Sequence, residues 1–200
     1  MKPVIVFDLG KVRVDFDYSI ATQKLAARST RPPENLHSHL GGSTLLVEYE
    51  TGLVTTEAFF AEVQKATGYL GDLREFGEFF SQIFTPITPM IALHAELRQR
   101  GFKTCIFSNT NELAIEHIRR DFPFFAHFDG YVYSYEVKAM KPAAPIYAVV
   151  EQVTGKRGGE IIYIDDRPEN IAAGSARGWR TVLHESPEQT RAALRTFGVI

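Results

Sequence analysis

The chain has 200 residues, 22 Lys plus Arg against 24 Asp plus Glu, and a formal net charge of −2. That balance excludes a protein whose main work is neutralising nucleic-acid phosphates, and 44% apolar with 23% charged residues is a globular rather than a disordered composition. A single cysteine, Cys105, excludes an intramolecular disulfide framework and a cysteine-rich metal site.

The opening segment MKPVIVFDLG holds one short apolar run, VIVF at 4–7, too short for a signal-peptide core. No run approaches the roughly 20 residues that cross a bilayer, so a soluble, cytoplasmic protein is expected. VIVF reads as a buried strand ending in Asp8. From 16 to 86 the stretches SIATQKLAARS, TLLVEYETG, TEAFFAEVQKATG and REFGEFFSQIF read as helices, with no strand among them. Asp15 and Asp17 fall on an expected hairpin after the first strand. Thr88 is expected to cap a helix that runs to Gly101, with Pro89 at its first helical position and Gly at its end.

Beyond it, strands alternate with helices. KTCIF at 103–107 leads into Ser108, Asn109 and Thr110, and Asn111 caps ELAIEHIRR. YVY at 131–133 precedes Lys141-Pro142, and Pro145 opens a helix ending at Gly155. IIYI at 161–164 ends in Asp165 and Asp166, Pro168 opens a helix ending at Gly178, and TVL at 181–183 is followed by a helix from Ser186-Pro187 to Gly198. Short runs rich in β-branched residues, without polar alternation, are the pattern of strands buried on both faces. Their alternation with helices implies right-handed crossovers and a parallel sheet. His94 and His117 are expected near helix surfaces, Cys105 inside its strand, and Phe59, Phe60, Phe76, Phe79, Phe80 and Phe84 in a helical core with one or two lining a pocket.

In such a sheet, ligands bind at the carboxyl ends of the strands. Asp8, Ser108, Asn109, Asp165, Asp166 and Lys141 should therefore meet at one edge. Three carboxylates at one point repel unless they share a cation or proton, and an all-oxygen donor set favours a hard ion such as Mg2+. Carboxylates, a lysine, a hydroxyl and backbone N–H groups together suit phosphoryl transfer with Asp as nucleophile.

The four segments VIVFDLGKVRVDFD, IFSNTN, KPAAPIY and YIDDRPENIAAG, in that order, resemble the four motifs of the haloacid dehalogenase superfamily. The chain is similar to subfamily I members with a C1-type helical cap, among them small bacterial sugar-phosphate (glucose-1-phosphate-like) phosphatases. The resemblance implies an α/β fold: a Rossmann-like parallel sheet in the order 5-4-1-2-3, helices on both faces and an inserted all-helical cap. It divides the chain into a core of residues 1–15 and 87–200 and a cap of residues 16–86. It implies a Mg2+-dependent phosphatase acting on small phosphorylated metabolites such as sugar phosphates through an aspartyl-phosphate on Asp8.

The same resemblance gives Ser108 and the Asn109 amide to phosphate binding and Lys141 to neutralising Asp8 and the phosphoryl group. It gives Asp8, the Gly10 carbonyl and Asp166 to the metal, with Asp165 a second ligand or bound through water, and Asn170 to orienting Lys141 or the acidic pair. Lys11, His37, His39, Glu48 and Tyr49 are candidates for substrate selection. The implied partner is a small phosphorylated metabolite, with neither nucleic acid nor membrane, for a monomer or weak dimer. Alternatives are a 2-haloacid dehalogenase-type hydrolase, which needs no acidic pair, and a catalytically weakened module that only binds. Gly10 departs from the pattern, since phosphatases of this superfamily commonly carry there the Asp that acts as general acid and base. Lys11 stands where Gly or Asn is usual, and Ala143 where Asp often follows Lys-Pro.

Overall fold

The structure is a computed structural model, and it describes residues 2–31 and 43–200. Its elements in chain order are β1 Val4–Phe7, β2 Val14–Phe16, α1 Tyr18–Ala26, α2 Thr44–Glu50, α3 Thr56–Thr67, α4 Leu73–Ser81, β3 Phe84–Pro86 and α5 Thr88–Gln99. They continue as β4 Thr104–Ser108, α6 Glu112–Asp121, β5 Gly130–Tyr133, α7 Ser134–Val137, α8 Ala144–Thr154, β6 Ile161–Asp165, α9 Pro168–Ala176, β7 Arg180–Leu183 and α10 Pro187–Thr196. Five strands form one parallel sheet in the order β5-β4-β1-β6-β7. Counting only the strands of that sheet along the chain, this is the expected 5-4-1-2-3.

The period of two along each strand sends alternate side chains to opposite faces. Ile5, Phe7, Ile106, Ile162, Ile164 and Val182 pack on one face against Met90, Leu93, Leu97, Ile115, Ile118 and Leu194. Val4, Val6, Cys105, Phe107, Ile161 and Tyr163 pack on the other against Ile146, Tyr147, Val150 and Trp179. All four residues of β1 are buried, as the central strand of a sheet covered on both faces requires.

Two histidines correct the expectation of surface positions. His94 is 2% exposed, meets Thr104 Oγ1 at 2.9 Å and stacks on Phe128, and its burial depresses its pKa to about 3. His117 is also buried. The spacing carried the signal for His94, because Met90, Leu93, His94 and Leu97 form one helical stripe. Arg13 is wholly buried as well. Its guanidinium lies 5.2–5.3 Å from the Phe7, Phe124 and Phe128 rings and donates to the Met90 carbonyl, contacts that offset part of the desolvation which lowers its pKa to about 9.

The expected local hairpin after β1 is absent among the described residues. β2 pairs instead with β3, antiparallel, in the register Val14↔Pro86, Asp15↔Thr85, Phe16↔Phe84. The chain leaves the sheet edge through one strand of this ribbon and returns through the other, about 70 residues later. Between them, α1 to α4 start on oxygen-bearing caps: Asp17 to Ser19 N–H, Ser43 to Leu46, Thr55 to Ala58 and Asp72 to Glu75. Thr88, by contrast, is the first residue of α5 rather than its cap.

The four helices enclose their own core of Leu25, Leu46, Tyr49, Phe59, Phe76 and Phe80. Phe59, Phe76 and Phe80 sit there as expected, with Phe60 and Phe79 at its margin, while Phe84 leaves it for the sheet's core. Phe76→Ala costs about 3–5 kcal/mol, the usual range for a buried phenyl ring. A urea-denaturation midpoint reads this, and a loss under about 1 kcal/mol would contradict the packing described.

Candidate active site

The parallel strands bring their carboxyl ends to one edge, where β1 delivers Asp8, β4 Ser108, and β6 Asp165 and Asp166. Lys141, 6% exposed, reaches in from the loop after α7. Its Nζ donates to Asp8 Oδ1 at 2.8 Å, Asp165 Oδ2 at 2.7 Å and the Phe107 carbonyl at 3.0 Å. Burial draws the ammonium's pKa down, but Asp8 and Asp165 together outweigh it and hold it above the ordinary lysine range. One oxygen from each of Asp8, Asp165 and Asp166 lies within 4.8 Å of the others. Burial raises the Asp8 carboxyl well above the usual carboxylate range, Asp165 and Asp166 add repulsion, and Lys141 opposes both. Burial and the neighbouring Asp165 likewise raise Asp166.

The two adjacent acids differ in what they have free. Asp165 Oδ1 accepts from Arg167 N–H and Asn170 Nδ2, each at 2.9 Å, and Oδ2 accepts from Lys141 and from the Tyr163 hydroxyl at 2.5 Å. Four donors fill the capacity of one carboxylate, so ligation of a metal by Asp165 would displace one of them. Asp166 is half-buried and faces the cavity with Asp8 and Gly10. Of the two alternatives for Asn170, its side chain holds the acidic pair, at Asp165, and not Lys141. Lys141 and Leu9 N–H both donate to Asp8 Oδ1, and the second oxygen accepts from neither of them.

Hard oxygen donors, mutual repulsion and raised carboxyl pKa values are what a divalent cation among these groups would relieve. The donor set of Asp8, Asp166 and the Gly10 carbonyl fits Mg2+ on that chemistry.

Asn109 uses its side chain differently from a phosphate ligand. Oδ1 accepts from Lys141 N–H at 2.8 Å and Nδ2 donates to the Lys141 carbonyl at 3.1 Å, which clamps the lysine's backbone. Ser108 is 2% exposed and borders a small recess with Gly10, Asn109 and Thr110.

Above these groups lies a cavity of ≈480 Å3, with Asp8, Lys141, Asp166 and Asn170 in its floor and Tyr18, Leu46, Val47 and Glu50 opposite them. Lys11 lies at its edge in a left-handed conformation, φ 57°, the geometry that makes Gly or Asn usual there. Its ammonium pairs with Asp15 and sits 4.6 Å from the Phe16 ring centre.

Tyr49 is not brought to the cavity: it is 2% exposed, stacked on Phe59, with its hydroxyl 2.9 Å from Thr56 Oγ1. Glu48 does not line it either. Leu46, Val47 and Glu50 share the inward stripe of α2, at the helical spacing i, i+1 and i+4. Glu50, Tyr18 and Arg167 are among the cavity residues that sequence reasoning does not select. His37 and His39 lie outside the described residues.

A profile of the haloacid dehalogenase-like hydrolases matches residues 4–178. Bifunctional epoxide hydrolase 2 of Rattus norvegicus is 30% identical over 127 residues, 59% of this chain and 22% of that protein, so the match spans about a fifth of that relative's length. Among solved structures, a predicted HAD-like family hydrolase from Porphyromonas gingivalis superposes with a TM-score of 0.83 at 21% identity, covering 98% of each chain. A HAD family enzyme from Bacteroides thetaiotaomicron, complexed with magnesium and inorganic phosphate, gives 0.80 at 21% identity over 91% of this chain and 93% of that one. L-2-haloacid dehalogenase from Xanthobacter autotrophicus, with chloropropionic acid covalently bound, gives 0.65 at 20% identity over 100% and 85%.

Proposed function

The chain belongs to the haloacid dehalogenase-like hydrolases, and from that premise we propose that it is a Mg2+-dependent phosphatase of small phosphorylated metabolites, acting through an aspartyl-phosphate on Asp8. The observation that carries this reading is the cluster of Asp8, Asp165 and Asp166 around Lys141. A halide displacement needs no cation site, whereas a phosphate dianion approaching a carboxylate needs positive charge on both sides of it.

In the proposed reaction the second Asp8 oxygen, the one held by neither Lys141 nor Leu9 N–H, attacks phosphorus in line with the ester oxygen. Lys141 favours the ionised form of Asp8 against the effect of burial and neutralises charge on the phosphoryl group. Ser108 and the Asn109 backbone N–H take the phosphoryl oxygens, and the Asn109 side chain keeps Lys141 in place. Asp8, Asp166 and the Gly10 carbonyl would hold Mg2+, which supplies charge neutralisation and a template for the phosphate. Asp165 acts outside the ligand set, fixing Lys141 and the turn at Arg167. Leu46 and Val47 give the side of the cavity opposite Asp8 an apolar surface.

We read residues 1–15 and 87–200 as the core and 16–86 as its C1-type cap, with a sugar phosphate, a hexose 1-phosphate among them, as the preferred substrate. A cytoplasmic monomer or weak dimer completes the proposal. Among the described residues no helix is long and apolar enough to cross a membrane.

Phosphate release from p-nitrophenyl phosphate and a sugar-phosphate panel, with Mg2+ and with EDTA, tests the reading. Turnover that requires Mg2+ is expected. Fluoride release from fluoroacetate in EDTA, with no phosphate release from any ester, would overturn it in favour of a dehalogenase.

Titration calorimetry with Mg2+ separates the two acids. Asp166→Ala should weaken binding beyond the about 10- to 100-fold typical of a partner outside the ligand set, and Asp165→Asn should fall within that range. Equal losses would contradict the division of roles.

A further inference from the structure

Gly10 leaves the floor of the cavity without the carboxyl expected to protonate the leaving group. A Cβ added there would stand 3.0 Å from the Phe16 ring, which fills that space instead. The nearest acids along the chain point elsewhere: Asp15 accepts from Lys11 and, at 2.8 Å, from Phe16 N–H, and Asp17 accepts from Ser19 N–H at the start of α1. In-line attack by Asp8 sends the leaving oxygen out on the side away from Asp8, toward α1 and α2. On that side, among the described residues, the carboxyl lining the cavity is Glu50.

We propose that Glu50, delivered by the last turn of α2, is the general acid and base of the reaction, an assignment that rests on the phosphatase reading above. Its backbone is fastened to the core beside the Ser108–Asn109 turn. Ser134 Oγ donates to the Glu50 carbonyl at 2.5 Å and accepts from Thr110 N–H at 2.9 Å. Two residues on, Gly52 lies so close to α7 that an added Cβ would stand 2.1 Å from the Tyr135 carbonyl oxygen, and Lys138 Nζ donates to the Gly52 carbonyl. These contacts hold the end of α2 in place with the Glu50 side chain toward the cavity.

Facing it are Arg167, Tyr18, Lys11 and the Asp8–Lys141–Asp166 floor. From α7, Glu136 accepts from the Tyr135 hydroxyl. Burial pushes the Glu50 carboxyl up to about 7, with Arg167 opposing it, so at neutral pH the group can both give and take a proton.

The proton balance closes over two steps. As Asp8 bonds to phosphorus, the P–O bond to the leaving group breaks, its electron pair stays on oxygen, and that oxygen takes the Glu50 proton to leave as an alcohol. Glu50, now a carboxylate, takes a proton from water as the water oxygen bonds to phosphorus. The P–O bond to Asp8 then breaks, its electrons return to the carboxylate, and phosphate departs with Glu50 protonated again.

The variant Glu50→Gln keeps the side-chain shape. Glu50 holds its proton more tightly folded than unfolded, so its contribution to stability is lost as pH rises through about 7. Gln escapes that loss, and the variant should fold at least as well as wild type at neutral pH. With glycerol 2-phosphate, whose alkoxide must be protonated to leave, its kcat should fall by about 10²–10⁴-fold and its pH profile should lose the limb near neutrality. With p-nitrophenyl phosphate, whose phenolate leaves unprotonated, the variant should give a burst of nitrophenolate followed by slow turnover, as hydrolysis of the intermediate stalls.

A variant within about threefold of wild type on glycerol 2-phosphate, or one whose burst rate and steady-state rate fall together, would overturn the assignment while leaving the phosphatase reading intact. A wild-type enzyme inactive on both esters, like an Asp8→Asn control, would overturn both.

Discussion

Asp8→Asn should lower turnover by about 10⁶-fold, the scale of loss when a covalent nucleophile is removed, without unfolding the chain. The amide has the shape of the carboxyl, and its oxygen can still accept from Leu9 N–H and Lys141, the two donors that hold Asp8 Oδ1 at 2.7 and 2.8 Å. It lacks a nucleophilic oxygen anion. Lys141 keeps Asp165 as its counter-charge, so stability should change by no more than about 1 kcal/mol. Phosphate release and a urea-denaturation curve on the same preparation separate the outcomes. A variant that keeps a tenth of the activity, roughly 10⁵ times more than expected, would remove Asp8 as nucleophile, whereas an unfolded one would make Asp8 structural.

Lys141→Met carries the opposite signature, a large loss of stability as well as activity. The ammonium lies between two carboxylates in a buried site and has a third acceptor in the Phe107 carbonyl. Removing one partner of a buried ion pair leaves uncompensated charge and costs about 3–5 kcal/mol. The sign of the pH dependence follows. With Lys141 gone, the Asp8 pKa of the folded state rises further above its unfolded value, so the folded chain binds more protons and loses stability as pH rises. The deficit against wild type, in EDTA, should therefore grow as pH rises through about 8. A deficit that does not change with pH, or a variant as stable as wild type, would contradict an ammonium that offsets the buried acids it pairs with.

Much of the floor of the site could be read from the chain because its chemistry sits at strand ends. A fully apolar strand followed by Asp8, another by Ser108, and a third by Asp165 and Asp166 converge as soon as the strands are parallel, and the alternation with helices makes them so. The roof could not be read that way. Which stripe of α2 faces the cavity depends on Glu50 meeting Ser134 of α7 and Gly52 meeting Lys138 at its end, contacts between residues more than 80 apart in the chain. Sequence alone therefore points to Glu48 and Tyr49, whereas it is Glu50 that faces the cavity.

The β2–β3 ribbon is not legible in the sequence for a related reason. Each strand is three residues long and its partner lies beyond the intervening helices, so no local turn signal marks it. The difference between Asp165 and Asp166 was also beyond the sequence, since it arises from the donors Tyr163, Asn170 and Lys141 crowding one of two adjacent carboxylates.

The most direct test of the account is to find the covalent intermediate. The protein is mixed with Mg2+ and p-nitrophenyl phosphate, quenched in acid within the first turnover, reduced with borohydride to trap an acyl-phosphate, digested and mapped by mass spectrometry. The account predicts a single modified site, Asp8, in the VIVFDLGK segment, absent when EDTA replaces Mg2+ or when Asp8 is Asn. Modification at another residue, or rapid turnover with no trapped acyl-phosphate at Asp8, would contradict it.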